Sequence, residues 1–107
     1  MATEVDISKM LHLSTAHVTE DTNTVLQDAL DWDLWNVLIQ LPVFAKRNYG
    51  FFIFIGSLQG VDESSEDWHG IPDDLKRCIH YALERECDWL CLDCDVEPID
   101  DLTTYDW

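Results

Sequence analysis

The sequence predicts an α+β protein with a ferredoxin-like, split βαβ fold, in which an antiparallel sheet carries two helices on one face. Two observations lead to this fold. The predicted elements follow the order β-α-β-β-α-β, and residues 50–56 place five bulky apolar residues between two glycines. Such a run is typical of a strand that is buried on both faces. Because the first and third strands are central in this topology, we expect residues 50–56 in the middle of the sheet.

The N-terminal half predicts a strand, a helix and one arm of a hairpin. Residues 6–13 form the first predicted strand. Thr19 is a candidate N-cap for a helix that runs to about Leu30, because apolar residues recur at helical spacing behind acidic residues that favour a helix start. Alternation over residues 35–44 predicts the second strand, and Pro42, which cannot donate to a ladder, indicates an edge position. A short turn joins this strand to the central one as an antiparallel hairpin.

The C-terminal half predicts an acidic loop, a second helix and a last strand. Residues 57–70 are rich in Ser, Asp, Glu and Gly, which is typical of a loop. Pro72 stands where a first helical position should be, and apolar residues from Leu75 to Leu83 recur at the spacing of a helix packed on a sheet. Residues 87–95 alternate as a final strand. The chain beyond them keeps several bulky side chains, so we expect it to pack against the fold.

Length and composition predict one domain over residues 1–107. Nearly half of the residues (47%) are hydrophobic, which is sufficient for a core. No apolar run reaches membrane-spanning length and the N-terminus lacks the features of a signal peptide, so we expect a cytoplasmic protein without membrane contact. The cysteines agree with this compartment, because a secreted disulfide framework usually ties distant segments together. Here all four lie in the last third of the chain: Cys78, Cys87, Cys91 and Cys94.

The strongest functional observation is a formal net charge of −16 on 107 residues. A compact chain of this size is about 33 Å across, and duplex DNA of that length carries about 20 negative charges. The similar charge density argues against direct binding to nucleic acid or to an anionic membrane. It favours binding to a basic surface that is built to hold nucleic acid. A solubility coat explains the same composition, so that alternative stays open.

Three groups of residues are the candidates for contact with such a partner. Carboxylates would pair with the partner's Arg and Lys side chains, and an aromatic side chain would anchor the contact. The first group follows the first predicted helix and contains Asp31, Trp32 and Asp33. The second group lies in the acidic loop and contains Asp62, Glu63, Glu66 and Asp67. The third group lies near the C-terminus and contains Asp93, Asp95, Glu97, Asp100 and Asp101. The oligomeric state is left open between a monomer and a homodimer that pairs the edge strand near Pro42 or buries Trp32.

The sequence gives less support for catalysis or for metal binding. Cys91 and Cys94 form a CxxC pair that Cys87 and His80 could complete, but on a strand the two cysteines point to opposite faces, which disfavours a shared zinc ion. The sequence shows no catalytic signature and no phosphate-binding glycine loop. We therefore expect no enzymatic activity, no catalytic residues, no metal and no cofactor. A small metal-binding or redox module that uses the C-terminal cysteines is the alternative function.

Three short segments resemble a family of short proteins that occur on bacterial plasmids, integrative elements and phages. They are residues 13–17 (Leu-Ser-Thr-Ala-His), 92–95 (Leu-Asp-Cys-Asp) and 104–107 (Thr-Tyr-Asp-Trp). The resemblance spans most of the chain, carries no catalytic residues and implies a mobile-element setting. Small acidic proteins from that setting are often inhibitors of host defence, including anti-CRISPR and anti-restriction proteins.

Charge and resemblance together predict a non-enzymatic inhibitor. We expect it to bind a host nucleic-acid-binding defence complex, of the kind that anti-CRISPR or anti-restriction proteins block, and to act as a DNA mimic. The expected partner is the basic nucleic-acid-binding surface of that complex.

Overall fold

The computed structural model describes residues 9–29, 43–46 and 50–107, which form a small α+β fold with a four-stranded mixed sheet and two α-helices. Short 3₁₀ turns follow β1 and β3 and precede α2. In chain order the main elements are β1 (Met10–Ser14), α1 (Glu20–Ala29), β2 (Val43–Lys46), β3 (Gly50–Phe54), α2 (Asp73–Glu84) and β4 (Trp89–Asp93).

The strands lie in the order β1-β4-β3-β2. β1 pairs with β4 in parallel, with Leu13 opposite Leu92, whereas β3 runs antiparallel to both of its neighbours. Gly50 starts β3 at a point where a Cβ atom would overlap the carbonyl oxygen of Leu92, so glycine alone fits there. Since the carboxyl ends of parallel strands meet at one edge of a sheet, the pairing brings Ser14 beside Asp93.

The ferredoxin-like prediction of a wholly antiparallel sheet with a central first strand is wrong. β1 lies at one end of the order, and β4 takes the place between β1 and β3. The reason is burial on the two faces: Leu90, Cys91 and Leu92 of β4 are all 0% exposed, whereas His12 of β1 is exposed. β3 keeps its predicted interior position but alternates buried and half-buried side chains. The strand that is buried on both faces is therefore β4.

Several predictions about the N-terminal half concern residues outside the described ranges. These are the start of the first predicted strand before Lys9, the helix end at Leu30 and most of the second predicted strand, including Pro42. β2 begins at Val43 and is the last strand in the order, in agreement with the predicted edge position.

Both helices contribute to one hydrophobic core on the sheet. Leu26 of α1 and Ile79 of α2 belong to the same buried cluster as Leu13, Ile53 and Leu90 of the strands. Within the described ranges, neither α1 nor α2 is both long enough and apolar enough to cross a bilayer.

The start of α1 is fixed by a local cap and by a longer tie to α2. The backbone N–H of Thr22 donates to Thr19 Oγ1 at 3.2 Å, which confirms Thr19 as the predicted N-cap. Asp74, which is buried in the first turn of α2, accepts from the Thr19 N–H at 2.7 Å and from the Thr22 hydroxyl at 2.8 Å. One carboxylate therefore joins the starts of the two helices.

Candidate acidic interface

Residues 96–107, here called the C-terminal segment, run over the surface without forming a helix or strand. Backbone and side-chain bonds tie them to the turn that follows β1. The Tyr105 N–H donates to the carbonyl of Ala16 at 2.8 Å, and Trp107 Nε1–H donates to the carbonyl of Val18 at 2.9 Å. The segment is thus held against the fold at its end, as the bulky side chains predicted.

His17 holds the middle of the same segment. The side chain is 2% exposed, and its two ring nitrogens contact two backbone groups. Nδ1 lies 3.0 Å from the carbonyl oxygen of Thr103, and Nε2 accepts from the Ile99 N–H at 3.0 Å. A carbonyl can only accept and an amide can only donate, so this geometry assigns the neutral tautomer that carries its proton on Nδ1.

A third set of contacts joins the C-terminal segment to α2. The Tyr81 hydroxyl donates to Asp101 Oδ2 at 2.9 Å, and this bond raises the pKa of Tyr81. Arg77 donates to the Tyr105 hydroxyl at 3.0 Å. The guanidinium of Arg85 lies 3.4 Å above the Tyr81 ring. The segment is therefore fixed on two sides, by the turn after β1 and by one flank of α2.

Exposed carboxylates line this fixed segment and the turn that precedes it. Asp95, Glu97, Asp100 and Asp101 are exposed, and all four belong to the predicted contact group. Asp106 adds another carboxylate beside a surface groove of about 350 Å³, which also includes Glu20 and Asp21 at the start of α1. Tyr105 and Trp107 form the aromatic wall of that groove, and Trp107 is 53% exposed. We call these seven carboxylates the C-terminal acidic patch.

The acidic loop forms a second patch on the other flank of α2. Its four predicted members are exposed: Asp62, Glu63, Glu66 and Asp67. The Ser64 N–H donates to Asp62 Oδ1 at 2.9 Å and lowers the pKa of Asp62. Glu63 lies 3.8 Å from Lys76 Nζ and 3.3 Å from His80 Nε2, so α2 offsets part of the charge of this loop.

Trp68 anchors the loop. It is buried, donates through Nε1 to the carbonyl of Val61 at 2.9 Å, and stacks on the His80 ring with 4.7 Å between the ring centroids. The loop is therefore packed at its end even though its carboxylates face solvent.

The outer face of α2 separates the two patches. Successive residues of an α-helix are rotated by about 100°, so Lys76 and His80 share one stripe while Arg77 and Tyr81 share the next. The first stripe contacts the acidic loop and the second contacts the C-terminal segment. Most of the exposed carboxylates on the described residues therefore lie in two patches, with basic side chains of α2 between them.

Of the remaining predicted contact residues, the one that the structure describes does not join these patches. Asp93 is 8% exposed, and its Oδ1 accepts from the Asp95 N–H at 2.9 Å, so it shapes the turn after β4. Asp31, Trp32 and Asp33 lie outside the residues that the structure describes.

The cysteines are dispersed. Cys78, Cys87 and Cys91 are buried, whereas Cys94 is exposed in the turn after β4. Burial raises the pKa of Cys78 to about 12, and partial desolvation together with the Asp95 and Asp93 carboxylates raises the pKa of Cys94. A raised pKa disfavours the thiolate, which is the form that binds metals and reacts.

One group of possible metal ligands occurs among the described residues. Ligand atoms of Asp93, Cys94 and Asp95 lie within 4.8 Å of one another, with Asp93 buried and the other two exposed. Cys91 and Cys87 are not part of this group, so the predicted CxxC pair does not form a joint site there.

The sequence did not predict how the three segments that carry the family resemblance contact one another. The parallel pairing of β1 with β4 places the first two residues of segments 13–17 and 92–95 side by side, and residues 104–107 fold back onto the turn between Ser14 and Val18. The role of His17 depends on this long-range contact, so local sequence patterns gave no signal for it.

Comparison with known proteins places these features in a family. Residues 10–107 match the sequence model of the C-terminal domain of a family of unknown function, DUF5983. No curated protein and no solved structure matches the chain.

Proposed function

The chain belongs to the DUF5983 family, whose C-terminal domain it matches, and we propose that it acts by binding rather than by catalysis. Its partner is the basic groove of a nucleic-acid-binding host defence complex, of the kind that anti-CRISPR or anti-restriction proteins inhibit. The protein occupies that groove as a DNA mimic and works in the cytoplasm.

The observation that carries this proposal is the C-terminal acidic patch on a fixed segment. Its carboxylates are exposed, and four of the seven lie on the C-terminal segment, whose backbone is held by His17, by Trp107 and by the Tyr81–Asp101 bond. A surface that is ordered before binding loses less conformational entropy when the complex forms. The patch can therefore offer several acids at once to Arg and Lys side chains.

The net charge supports the same mechanism. A formal charge of −16 produces a strong negative field, which speeds association with a basic groove and weakens as salt screens it. The acidic loop provides a second contact region across α2. The mobile-element setting implied by the sequence resemblance is consistent with an inhibitor of host defence.

A pull-down followed by DNA competition tests the proposal. The purified protein is incubated with a CRISPR surveillance complex and, separately, with a restriction enzyme, and bound material is then challenged with target duplex DNA. We expect DNA and the protein to displace each other from one of the two. If every retained complex binds DNA with unchanged affinity, the DNA-mimic mechanism is wrong.

The alternative function, a small metal-binding or redox module, has one supporting observation, the close approach of Asp93, Cys94 and Asp95. The raised pKa of Cys94 and the burial of the other three thiols count against it. Elemental analysis of the purified protein, combined with thiol titration, separates the two functions. Stoichiometric zinc would favour the module, and four titratable thiols without metal would favour the acidic inhibitor.

A further inference from the structure

His17 is a buried titratable group whose two ring nitrogens are both engaged with one peripheral segment. Nδ1–H donates to Thr103 and Nε2 accepts from Ile99, four residues earlier in the chain. The contact with Ile99 requires a lone pair on Nε2, and therefore a neutral ring.

Protonation would remove that lone pair. The imidazolium ion carries a proton on Nε2, and this N–H would face the N–H of Ile99, so one hydrogen bond would become a contact between two donors. Histidine is the side chain that ordinarily changes charge between about pH 5 and 8. The hydrogen bond from Ile99 to the neutral ring is therefore present at higher pH and is lost as the pH falls, because a buried neutral histidine must become charged on acidification.

Acidic groups and one arginine lie on the elements around His17. The titratable and charged groups are Asp74, Arg77 and Cys78 of α2; Glu20 and Asp21 of α1; Asp93 and Asp95 at the end of β4; and Asp100, Asp101, Tyr105 and Asp106 of the C-terminal segment.

We propose that His17 is a pH-sensitive clasp that fixes residues 99–103 when its ring is neutral and releases them when it is protonated. The release frees the part of the C-terminal segment that carries Asp100 and Asp101 from the turn after β1, and the Tyr81–Asp101 bond stays as its tie to α2. Tyr105 and Trp107 keep the chain end attached through bonds that do not involve His17. The release itself is independent of the partner, and its consequence for binding rests on the proposed function.

Hydrogen exchange of the Ile99 amide in the protein alone tests the clasp. The protection factor is measured from about pH 7.5 to about pH 5.5, and NMR follows the charge state of the His17 ring in the same samples. We expect the Ile99 protection factor to fall by up to about tenfold per pH unit as the pH approaches the midpoint of the His17 titration from above, and to level off below that midpoint. The amide of Leu92 in β4 should keep its protection over the same range.

Two variants give the matched control. The amide oxygen of His17→Gln can replace Nε2 as an acceptor without titrating, so Ile99 protection should become independent of pH. His17→Asn reaches the Nδ1 position instead, so Ile99 protection should be low at every pH. A wild-type Ile99 protection factor that stays constant while the His17 ring titrates would overturn the clasp. An equal acid response in His17→Gln would also overturn it, and neither result depends on any partner.

Discussion

At the scale of single residues, buried polar groups fix the corner of the molecule that carries the C-terminal acidic patch. Asp74 ties α1 to α2 by accepting two short hydrogen bonds, and His17 ties the C-terminal segment to the turn after β1. Both side chains are buried, so each lost bond leaves a backbone or hydroxyl group without its partner.

Replacing Asp74 should therefore destabilise the protein. Asp74→Ala removes the carboxylate that accepts from the Thr19 N–H and from the Thr22 hydroxyl, and we expect the free energy of unfolding to fall by about 2 to 3 kcal/mol. Urea denaturation followed by circular dichroism measures the change. Asp73→Ala is the matched control, because Asp73 is exposed and its carboxylate lies 4.0 Å from Lys76. Equal losses in the two variants would show that the buried contacts contribute nothing.

The cysteines give a pH-dependent prediction. Cys94 is the exposed thiol and should react first with iodoacetamide, while buried Cys78, with a pKa of about 12, should react last in the folded protein. The raised pKa of Cys94 means less thiolate at neutral pH, so its rate should climb about tenfold per unit while the pH stays below that pKa.

Mass spectrometry of peptides from timed reactions measures these rates. Asp95→Asn removes one of the carboxylates that raise the pKa of Cys94, so this variant should react faster at pH 7 than the wild type. Asp62→Asn removes the same charge in the acidic loop and should leave the Cys94 rate unchanged. A Cys94 rate that is insensitive to pH and to Asp95 would contradict this description of the thiol.

Local patterns predicted the residues whose roles are local. Thr19 was identified as an N-cap because capping depends on a few neighbouring residues, and the apolar periodicity around Leu75 predicted the buried face of α2. His17 and Asp74 were not identified, because their partners lie on other elements. A sequence pattern reports which residue types occur, but it does not report which distant backbone groups they meet.

At the scale of elements, the difference between prediction and structure lies in β4. The aromatic residues of β3 predicted that this strand would be buried on both faces. In the structure, it is the Leu-Cys-Leu run at the centre of β4 that is buried on both faces. Alternation marks a half-buried strand, but it does not fix the neighbours of that strand. Element types and their order along the chain could therefore be predicted, whereas the insertion of β4 beside a parallel β1 could not.

Hydrogen exchange of backbone amides tests the position of β4. The amides of Leu90 and Leu92 should exchange only through global unfolding, because β4 is paired on both sides and covered on both faces. Amides of β2, the last strand in the described order, should exchange at least about tenfold faster. Faster exchange in β4 than in β2 would contradict the strand order.

At the scale of the whole molecule, most of the exposed carboxylates on the described residues lie in two patches and are not gathered into one row. The acidic loop and the C-terminal acidic patch flank α2, whose outer face carries basic side chains that contact both. Composition predicted the excess of negative charge but not its arrangement, since the arrangement depends on how the loop and the C-terminal segment fold back onto α2.

This charge should make stability depend on salt. Like charges repel in the folded state, and the Debye length falls from about 30 Å at 0.01 M salt to about 3 Å at 1 M. We expect the melting temperature to rise by several degrees over that range in NaCl, and KCl should give the same rise because screening is not specific. A falling melting temperature would mean that the attractive pairs around α2 outweigh the repulsion.

The most direct test of the proposed function is the dissociation constant of the complex with a DNA-free defence partner identified by the competition experiment. Asp100→Asn with Asp101→Asn removes two charges from the C-terminal acidic patch, while Glu84→Gln with Glu86→Gln removes two exposed charges outside both patches. We expect the first pair to weaken binding by about tenfold or more and the second by less than about twofold. Equal weakening by both pairs, or no weakening by the first, would contradict a contact surface on the C-terminal segment.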